Sequence, residues 1–372
     1  MVVHSDFVHD RRVKNQAEAL CEDGFHVTVL CTGNPPSKGQ NPVEHIIQSD
    51  GIHRIIHRFP PQHGKRRFLT MMRGFYNTLK TIEADIYHAH DLDTLIPTSL
   101  VASHKGATLI YDSHELYTES VHVAHRWLTK LLWRSIELIF ISKADEIITV
   151  CDGIAGELKE RYRLEKNIHV IRNFSDPPVL NNASVPHAFD TFAQNHPNTL
   201  LYQGYIQLGR GLNEALEALA GMPTWGLIIC GEGNYRSTLE KKAIELHVDE
   251  QVLFLGQLDH DQLFEVSRRC DLGLCMIEPV SLSYYYALPN KLVEYVQAGI
   301  PVIGSDLPEI RKLIEEFSLG FWVNEEQNLQ DIMRSIDQIK MNKELKNSIA
   351  LAAQSLNWAT EKEKLLGIYH SI

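Results

Sequence analysis

The 372-residue chain is predicted to be an α/β protein of two doubly wound domains facing a cleft. Three observations predict it. Short, near-continuous apolar runs recur between segments of helical period, the pattern of parallel strands covered on both faces. The alternation stops in a proline-bearing stretch and then starts again, so the pattern occurs twice. The length suits two such domains and is long for one.

Taken in order, Met1-Val-Val-His4 reads as the tail end of a first strand, so the chain is expected to begin a few residues inside its own fold. Strands are expected at 26–31, 85–90, 107–112, 146–150 and 168–172, and helices at 11–22, 92–103, 120–142 and 153–161. Pro177, Pro178, Pro186 and Pro197, set among Asn, Ser and Ala, mark a linker. Strands then resume at 199–203, 226–230, 251–255, 272–276, 300–303 and 320–323, and 344–370 is helical. The expected organisation is a first domain over 1–175, a linker over 176–198, a second domain over 199–350, and a C-terminal helix over 351–372 returning to the first domain.

Composition narrows the partners. A net charge of −11 argues against a nucleic-acid binder. The charge is uneven: residues 51–82 hold Arg54, Arg58, Lys65, Arg66, Arg67, Arg73 and Lys80 and no acid. Six cysteines without a CxxC spacing, several in strand-like apolar runs, read as reduced, buried thiols of a cytosolic protein. No apolar run has transmembrane length, and no signal peptide is visible.

Ligands of open parallel sheets bind beyond the carboxyl ends of the strands. In the second half, the stretch 283–314 reads as helix, tight turn, strand and helix. Its apolar helix (Leu292, Val293, Tyr295, Val296) carries one carboxylate, Glu294, which is costly to bury unless paired. The helix start, with Pro289, Asn290 and Lys291, suits an anion. Gly204-Tyr-Ile-Gln-Leu-Gly-Arg-Gly211 reads as a loop that admits a phosphate beside Arg210, or as a glycine-rich surface turn with a solvated arginine. Gly231-Glu232-Gly233-Asn234 reads as a second ligand loop or a plain βα turn. Together, three loops at equivalent strand ends point to a polar, phosphate-bearing ligand, with Glu294 reaching a hydroxyl group.

In the first half, strand ends carry His88-Ala-His90-Asp91 and Asp112-Ser-His114-Glu115, with His4, His9 and Asp10 at the first strand's exit. Such histidines serve acid/base or hydrogen-bonding roles near neutral pH. His88, His90 and Asp91 resemble metal ligands, but no third ligand is convincingly spaced, and no metal is expected. Asp91-Leu-Asp93 mimics a metal-binding DxD, with helix capping the simpler reading. No G-x-S-x-G, Walker A or G-x-G-x-x-G loop is present. The basic segment 51–82 also contains Phe68, Met71 and Phe75, and 126–134 mixes cations with Trp127, Leu131, Leu132 and Trp133. Both fit an anionic membrane surface, or else ordinary amphipathic helices whose apolar residues face the core.

These residues resemble glycosyltransferase family 4, retaining enzymes of GT-B fold with two Rossmann-like domains, especially members that build bacterial surface polysaccharides. The resemblance spans nearly the whole chain: DRRV (10–13), DSHELY (112–117), VIRNFSD (170–176), LYQGYIQLGRGL, IICGEGN and YYYALPNKLVEYVQAGIPVI. It implies a first, acceptor-side domain and a second that binds a UDP- or GDP-sugar donor, which is a substrate, with no cofactor. Glu294 matches the second Glu of the family's E-x7-E element, which holds the ribose. Arg210 matches the residue at the donor diphosphate, and Asn290 and Lys291 flank the phosphates. Gly204, Gly231, Glu232 and Gly233 fall on the nucleotide side. His114 matches the first-domain histidine near the reacting sugar, with His90 and Glu115 on the acceptor side. The first Glu of E-x7-E is replaced by Tyr286. The implied activity is metal-independent transfer of a sugar to a glycan or lipid-linked acceptor, at the inner face of the plasma membrane or free in the cytoplasm. The alternatives are a non-catalytic partner subunit and a nucleotide-sugar epimerase.

Overall fold

The computed structural model describes residues 1–37, 41–47, 50–60, 64–178, 184–324 and 326–372, without the side chains of residues 64, 65 and 122. These residues form two compact units. One comprises Met1–Asn173 with Ser281–Ser283 and Glu361–Ile372; the other comprises Phe174–Val280 with Tyr284–Thr360.

In the first unit, β1 (Thr28–Gly33) pairs in parallel with β3 (His53–Arg58), which pairs antiparallel with β2 (Val43–Ile47). A parallel set follows: β4 (Ile86–His90), β5 (Thr108–Ser113), β6 (Glu146–Thr149) and β7 (Ile168–Val170). Val2 bridges both groups, pairing with Leu30 on one side and Ala89 on the other. The segment read as a strand tail is thus the seam of this sheet. The final helix, Trp358–His370, contributes Tyr369, whose hydroxyl lies 2.8 Å from His88 Nδ1.

The second unit is one parallel sheet of β8 (Asn198–Gln203), β9 (Trp225–Cys230), β10 (Val252–Gly256), β11 (Leu272–Cys275), β12 (Val302–Ser305) and β13 (Gly320–Val323), in the order β10-β9-β8-β11-β12-β13. The strand order reverses between β8 and β11, which is where a doubly wound sheet opens a ligand crevice. β8, β9 and β11 are buried almost throughout, as their unbroken apolar runs require.

Several expectations are corrected. The basic segment holds β3 and the helix Gly64–Leu79, and β2 precedes it. β2 and β3 read Val-Glu-His-Ile-Ile and His-Arg-Ile-Ile-His-Arg, short and polar enough to hide a strand signal. Within that helix Met71 and Phe75 are core residues, and Phe68 packs edge-on against Trp133 at 5.0 Å, because 68, 71, 75 and 79 share one face. They do not form an outward apolar patch; the Lys65 side chain lies outside the described residues. The stretch 176–198 contains the helix His187–Asn195, whose Phe189 and Phe192 are buried; residues 179–183 lie outside the described residues. The single helix expected at 120–142 is two, a short helix Val121–Ala124 and the helix Trp127–Ile141, preceded by a turn at Tyr117–Glu119. The break lets Glu119 reach back to Lys130 and Arg134, each at 2.6 Å. The residues from Glu361 onward, rather than from 351, belong to the first unit. All six cysteines are free, five of them buried.

Candidate functional site

β8 ends at Gln203, and the chain turns at Gly204 (φ 122°) into the loop leading to Arg210. That loop is fixed by the next one. At Gly231 (φ 142°) a Cβ would meet the Gly204 carbonyl oxygen at 2.0 Å, and at Gly233 it would meet that of Ile206 at 2.0 Å. The two loops therefore run backbone against backbone, and the Ile206 N–H donates to the Glu232 carbonyl at 2.9 Å. These glycines are needed for loop packing.

At the switch point between β8 and β11 lies an open pocket of ≈ 290 Å³. Gly204, Arg210, Asn290, Lys291 and Glu294 from the sequence reading line it, together with Tyr202, Gln203, Tyr205, Gln207, Leu263 and Pro289. Gly231, Glu232, Gly233 and Tyr286 are not among its lining residues. Glu232 is exposed and pairs with Arg236 at 2.9 Å, and Tyr286 packs edge-on against Tyr285.

The pocket is rich in cation and poor in counter-charge. The Lys291 Nζ is enclosed and has no hydrogen-bond partner; it sits 3.9 Å from the centre of the Tyr202 ring. Burial lowers its pKa to about 8, with Arg210 adding to the effect against the pull of Cys275 and Glu294. The Arg210 guanidinium lies 5.0 Å from the Tyr284 ring centre, and its Nη2 is 3.3 Å from the Tyr284 hydroxyl. With the Gln207 amide turned to satisfy both groups, its oxygen accepts from Arg210 Nη2 and Nε at 2.5 and 2.8 Å. Among the described residues no carboxylate pairs with either cation. The helix Asn290–Gln297 begins here, capped by Pro289 and without a side-chain cap, so its first-turn amides add positive potential. Glu294, one turn further, accepts a hydrogen bond from the Gln203 amide, and Ser267 in turn donates to Gln203 at 3.2 Å. Glu294 is therefore a held acceptor beside a cationic cavity. Tyr202, Gln203 and Gln207 were not singled out from the sequence, because partner and packing roles leave no spacing signal.

In the first unit, β4 and β5 deliver His90 and His114 to adjacent strand ends. His90 Nδ1 and His114 Nε2 are 3.1 Å apart. Asp91, at φ 63°, accepts the His114 backbone N–H at 2.9 Å and lies 3.3 Å from His114 Nδ1. Burial raises Asp91 to about 6, against the pull of His114. Beneath them is Asp112, fully buried and gripped by Arg12 through Nε (3.0 Å) and Nη2 (2.7 Å), with the Gln16 amide at 2.8 Å. Burial favours protonating Asp112; Arg12, His114 and His90 outweigh it and hold the carboxyl well below the usual range. Burial lowers His90 to about 4, so the ring is neutral near pH 7. Glu115 accepts from Ser283 Oγ at 3.2 Å. His88, His90 and Asp112 have ligand atoms within 4.8 Å of one another. That carboxylate already holds the Arg12 guanidinium, whose charge opposes a metal ion there. Arg12, unremarked in the sequence beyond its motif, is the residue that organises this cluster.

A doubly wound sheet with a cationic pocket at its switch point, carried with a second Rossmann-like unit, defines a GT-B protein. Residues 10–177 match the model of glycosyltransferase family 4, and residues 187–356 match that of glycosyl transferases group 1. The chain belongs to the GT-B glycosyltransferases of this family. It is 27% identical over 235 residues to glycogen synthase of Mycobacterium tuberculosis, covering 60% of this chain and 52% of that protein. It is 25% identical over 266 residues to the GDP-mannose:cellobiosyl-diphosphopolyprenol alpha-mannosyltransferase of Xanthomonas oryzae, covering 69% of this chain and 64% of that protein. The match thus spans about half to two thirds of these relatives. Among solved structures, Anabaena HepE in complex with UDP and glucose shares the fold, with TM-score 0.73, 16% identity, and coverage of 100% of this chain and 98% of that one.

Proposed function

We propose that this chain is a retaining glycosyltransferase that moves a sugar from a UDP- or GDP-sugar to a glycan or lipid-linked acceptor in cell-surface polysaccharide synthesis. The observation that carries the donor assignment is Lys291: an enclosed ammonium without a hydrogen-bond partner, next to Arg210, in the switch-point pocket. A diphosphate supplies the missing counter-charge. As the glycosidic bond breaks, charge builds on the leaving diphosphate, and Arg210, Lys291 and the first-turn amides of Asn290–Gln297 offset it. Charges and dipoles fixed in advance where charge develops supply much of the rate enhancement of many enzymes. Glu294, held by Gln203, takes a ribose hydroxyl. His114, steadied by Asp91, orients the sugar or the acceptor, with His90 and Glu115 on the acceptor side. Transfer needs no metal, because cations already stand at the phosphates and Arg12 occupies the Asp112 carboxylate. The Xanthomonas relative, whose name specifies a diphosphopolyprenol acceptor, supports a lipid-linked acceptor; such an acceptor would bring the site of action to the inner face of the plasma membrane.

Tyr286 favours one other reading, a subunit that binds nucleotide but does not transfer, since it replaces an acidic residue of the family element. A thermal-shift screen over UDP-, GDP- and ADP-sugars tests the donor site, because ligand binding to the native state raises apparent stability. One nucleotide series should stabilise the protein, and the matching sugar should be turned over with an acceptor. Stabilisation without turnover against a panel of glycan and lipid-linked acceptors would favour the inactive subunit; no stabilisation by any nucleotide would overturn the donor assignment.

A further inference from the structure

The helix Trp127–Ile141 has an exposed apolar face. Trp127, Leu128, Leu131, Leu132, Leu138 and Ile139 are between 53% and 72% exposed. At about 100° per residue they span an arc of about 140°, interrupted only by Ser135. Such a continuous patch marks an interaction surface.

The helix is locked with this face outward. On its inner side Glu137 accepts from the Tyr111 and Tyr162 hydroxyls at 3.1 and 2.6 Å, and Ile141 is fully buried. Trp133 is wedged between Phe68 and Tyr117, each at 5.0 Å. The helix therefore cannot roll to hide its leucines without breaking a buried carboxylate's hydrogen bonds.

The surrounding charge identifies the occupant. Between residues 120 and 144 the only acid is Glu137, which is buried. Arg126 and Lys143 flank the helix and are exposed. Lys130 and Arg134 share Glu119 with Arg161, which also pairs with Glu157, so three cations against two carboxylates leave one net positive charge. A second copy docked about a two-fold axis would set this rim against itself, and in it Arg126, Lys130, Arg134, Lys143 and Arg161 outnumber Glu119, Asp145 and Glu157. An anionic bilayer offers both hydrocarbon for the leucines and phosphates for the ring of cations.

We propose that the helix Trp127–Ile141 lies in the interfacial layer of an anionic membrane, with its apolar face among the acyl chains and Arg126 and Lys143 at the headgroups. No described helix is long and apolar enough to cross a membrane, which fits a helix lying in the surface. The inference rests on the lipid-linked acceptor reading for its purpose and on the helix alone for its geometry.

The test is co-sedimentation with phosphatidylglycerol vesicles and with phosphatidylcholine vesicles, alongside calorimetry with UDP and GDP. The wild type should pellet with the anionic vesicles at low salt, and the Leu131→Glu, Leu138→Glu double variant should bind them about tenfold less or worse while keeping nucleotide affinity. Should the double variant fail to fold, Trp127→Ala at the most exposed position carries the same test. Equal pelleting of wild type and variant, absence of binding to anionic vesicles, or a vesicle-free dimer that the substitutions dissociate would each overturn the proposal. Absence of nucleotide binding in the wild type would strike the donor assignment alone.

Discussion

Replacing Lys291 with Met should make the ligand-free protein more stable and the nucleotide complex much weaker. The Lys291 ammonium is enclosed, and its pKa falls from 10.5 to about 8. At about 1.4 kcal/mol per tenfold change in proton affinity, that is about 3 kcal/mol against the charged form. The Tyr202 ring at 3.9 Å returns roughly 1–2 kcal/mol. Lys291→Met, similar in length and without a charge to desolvate, should therefore stabilise the apo protein by roughly 1–2 kcal/mol at pH 7. The pH dependence has a definite sign. The folded pKa lies below the unfolded one, so between about pH 8 and 10.5 the unfolded chain binds the extra proton and this group's contribution to stability rises with pH. The wild type should close the gap to the variant over that window in urea titrations. A diphosphate at Nζ should raise the pKa again, so binding near pH 8 takes up part of a proton. The calorimetric enthalpy should then vary with the buffer's ionisation enthalpy in the wild type and not in the variant. A destabilised Lys291→Met protein that still binds nucleotide normally, with no proton linkage in either protein, would refute the reasoning.

Other substitutions separate the remaining roles. Glu294→Ala should weaken nucleotide binding by roughly 1.5–3 kcal/mol, the range for a hydrogen bond to a charged group, measured by calorimetry on protein of unchanged fold. Arg210→Ala should lower turnover strongly and Arg210→Lys less so, because Lys keeps the charge and loses the fork; full rates in both would place the diphosphate elsewhere. Arg12→Met strands the buried Asp112 carboxylate and should cost roughly 3–5 kcal/mol in urea unfolding at pH 7. Because the folded Asp112 pKa is depressed, its contribution is present above the unfolded value near 4 and is lost as pH falls below it, so the gap to wild type should narrow in acid. Initial rates should be unchanged in excess EDTA; a loss restored specifically by manganese or magnesium would revive Asp91 and Asp93 as ligands.

The βα alternation, its interruption and restart, and the strand ends that carry Arg210, Lys291, Glu294, His90 and His114 can all be read from the amino-acid order. They are legible because strand and helix periods are local and because parallel strands buried on both faces leave unbroken apolar runs. β2 and β3 were not legible. They are short, half-buried and polar on alternate sides, so their charge masked their period. Which loop residues face a ligand emerges only when the chain is folded. Gly231 and Gly233 have the composition of a phosphate loop, yet a carbonyl lies 2.0 Å from where each Cβ would stand, so they serve the adjoining loop. Folding also sets the partners: Gln203 for Glu294 across 91 residues, and Arg12 for Asp112 across 100. It turned Met71 and Phe75 inward and left Leu131 and Leu138 outward, although both helices mix cations with large apolar groups. Periodicity shows that a helix has an apolar face. Only the packing around it, here Glu137 fixed by two tyrosines, shows whether that face is covered.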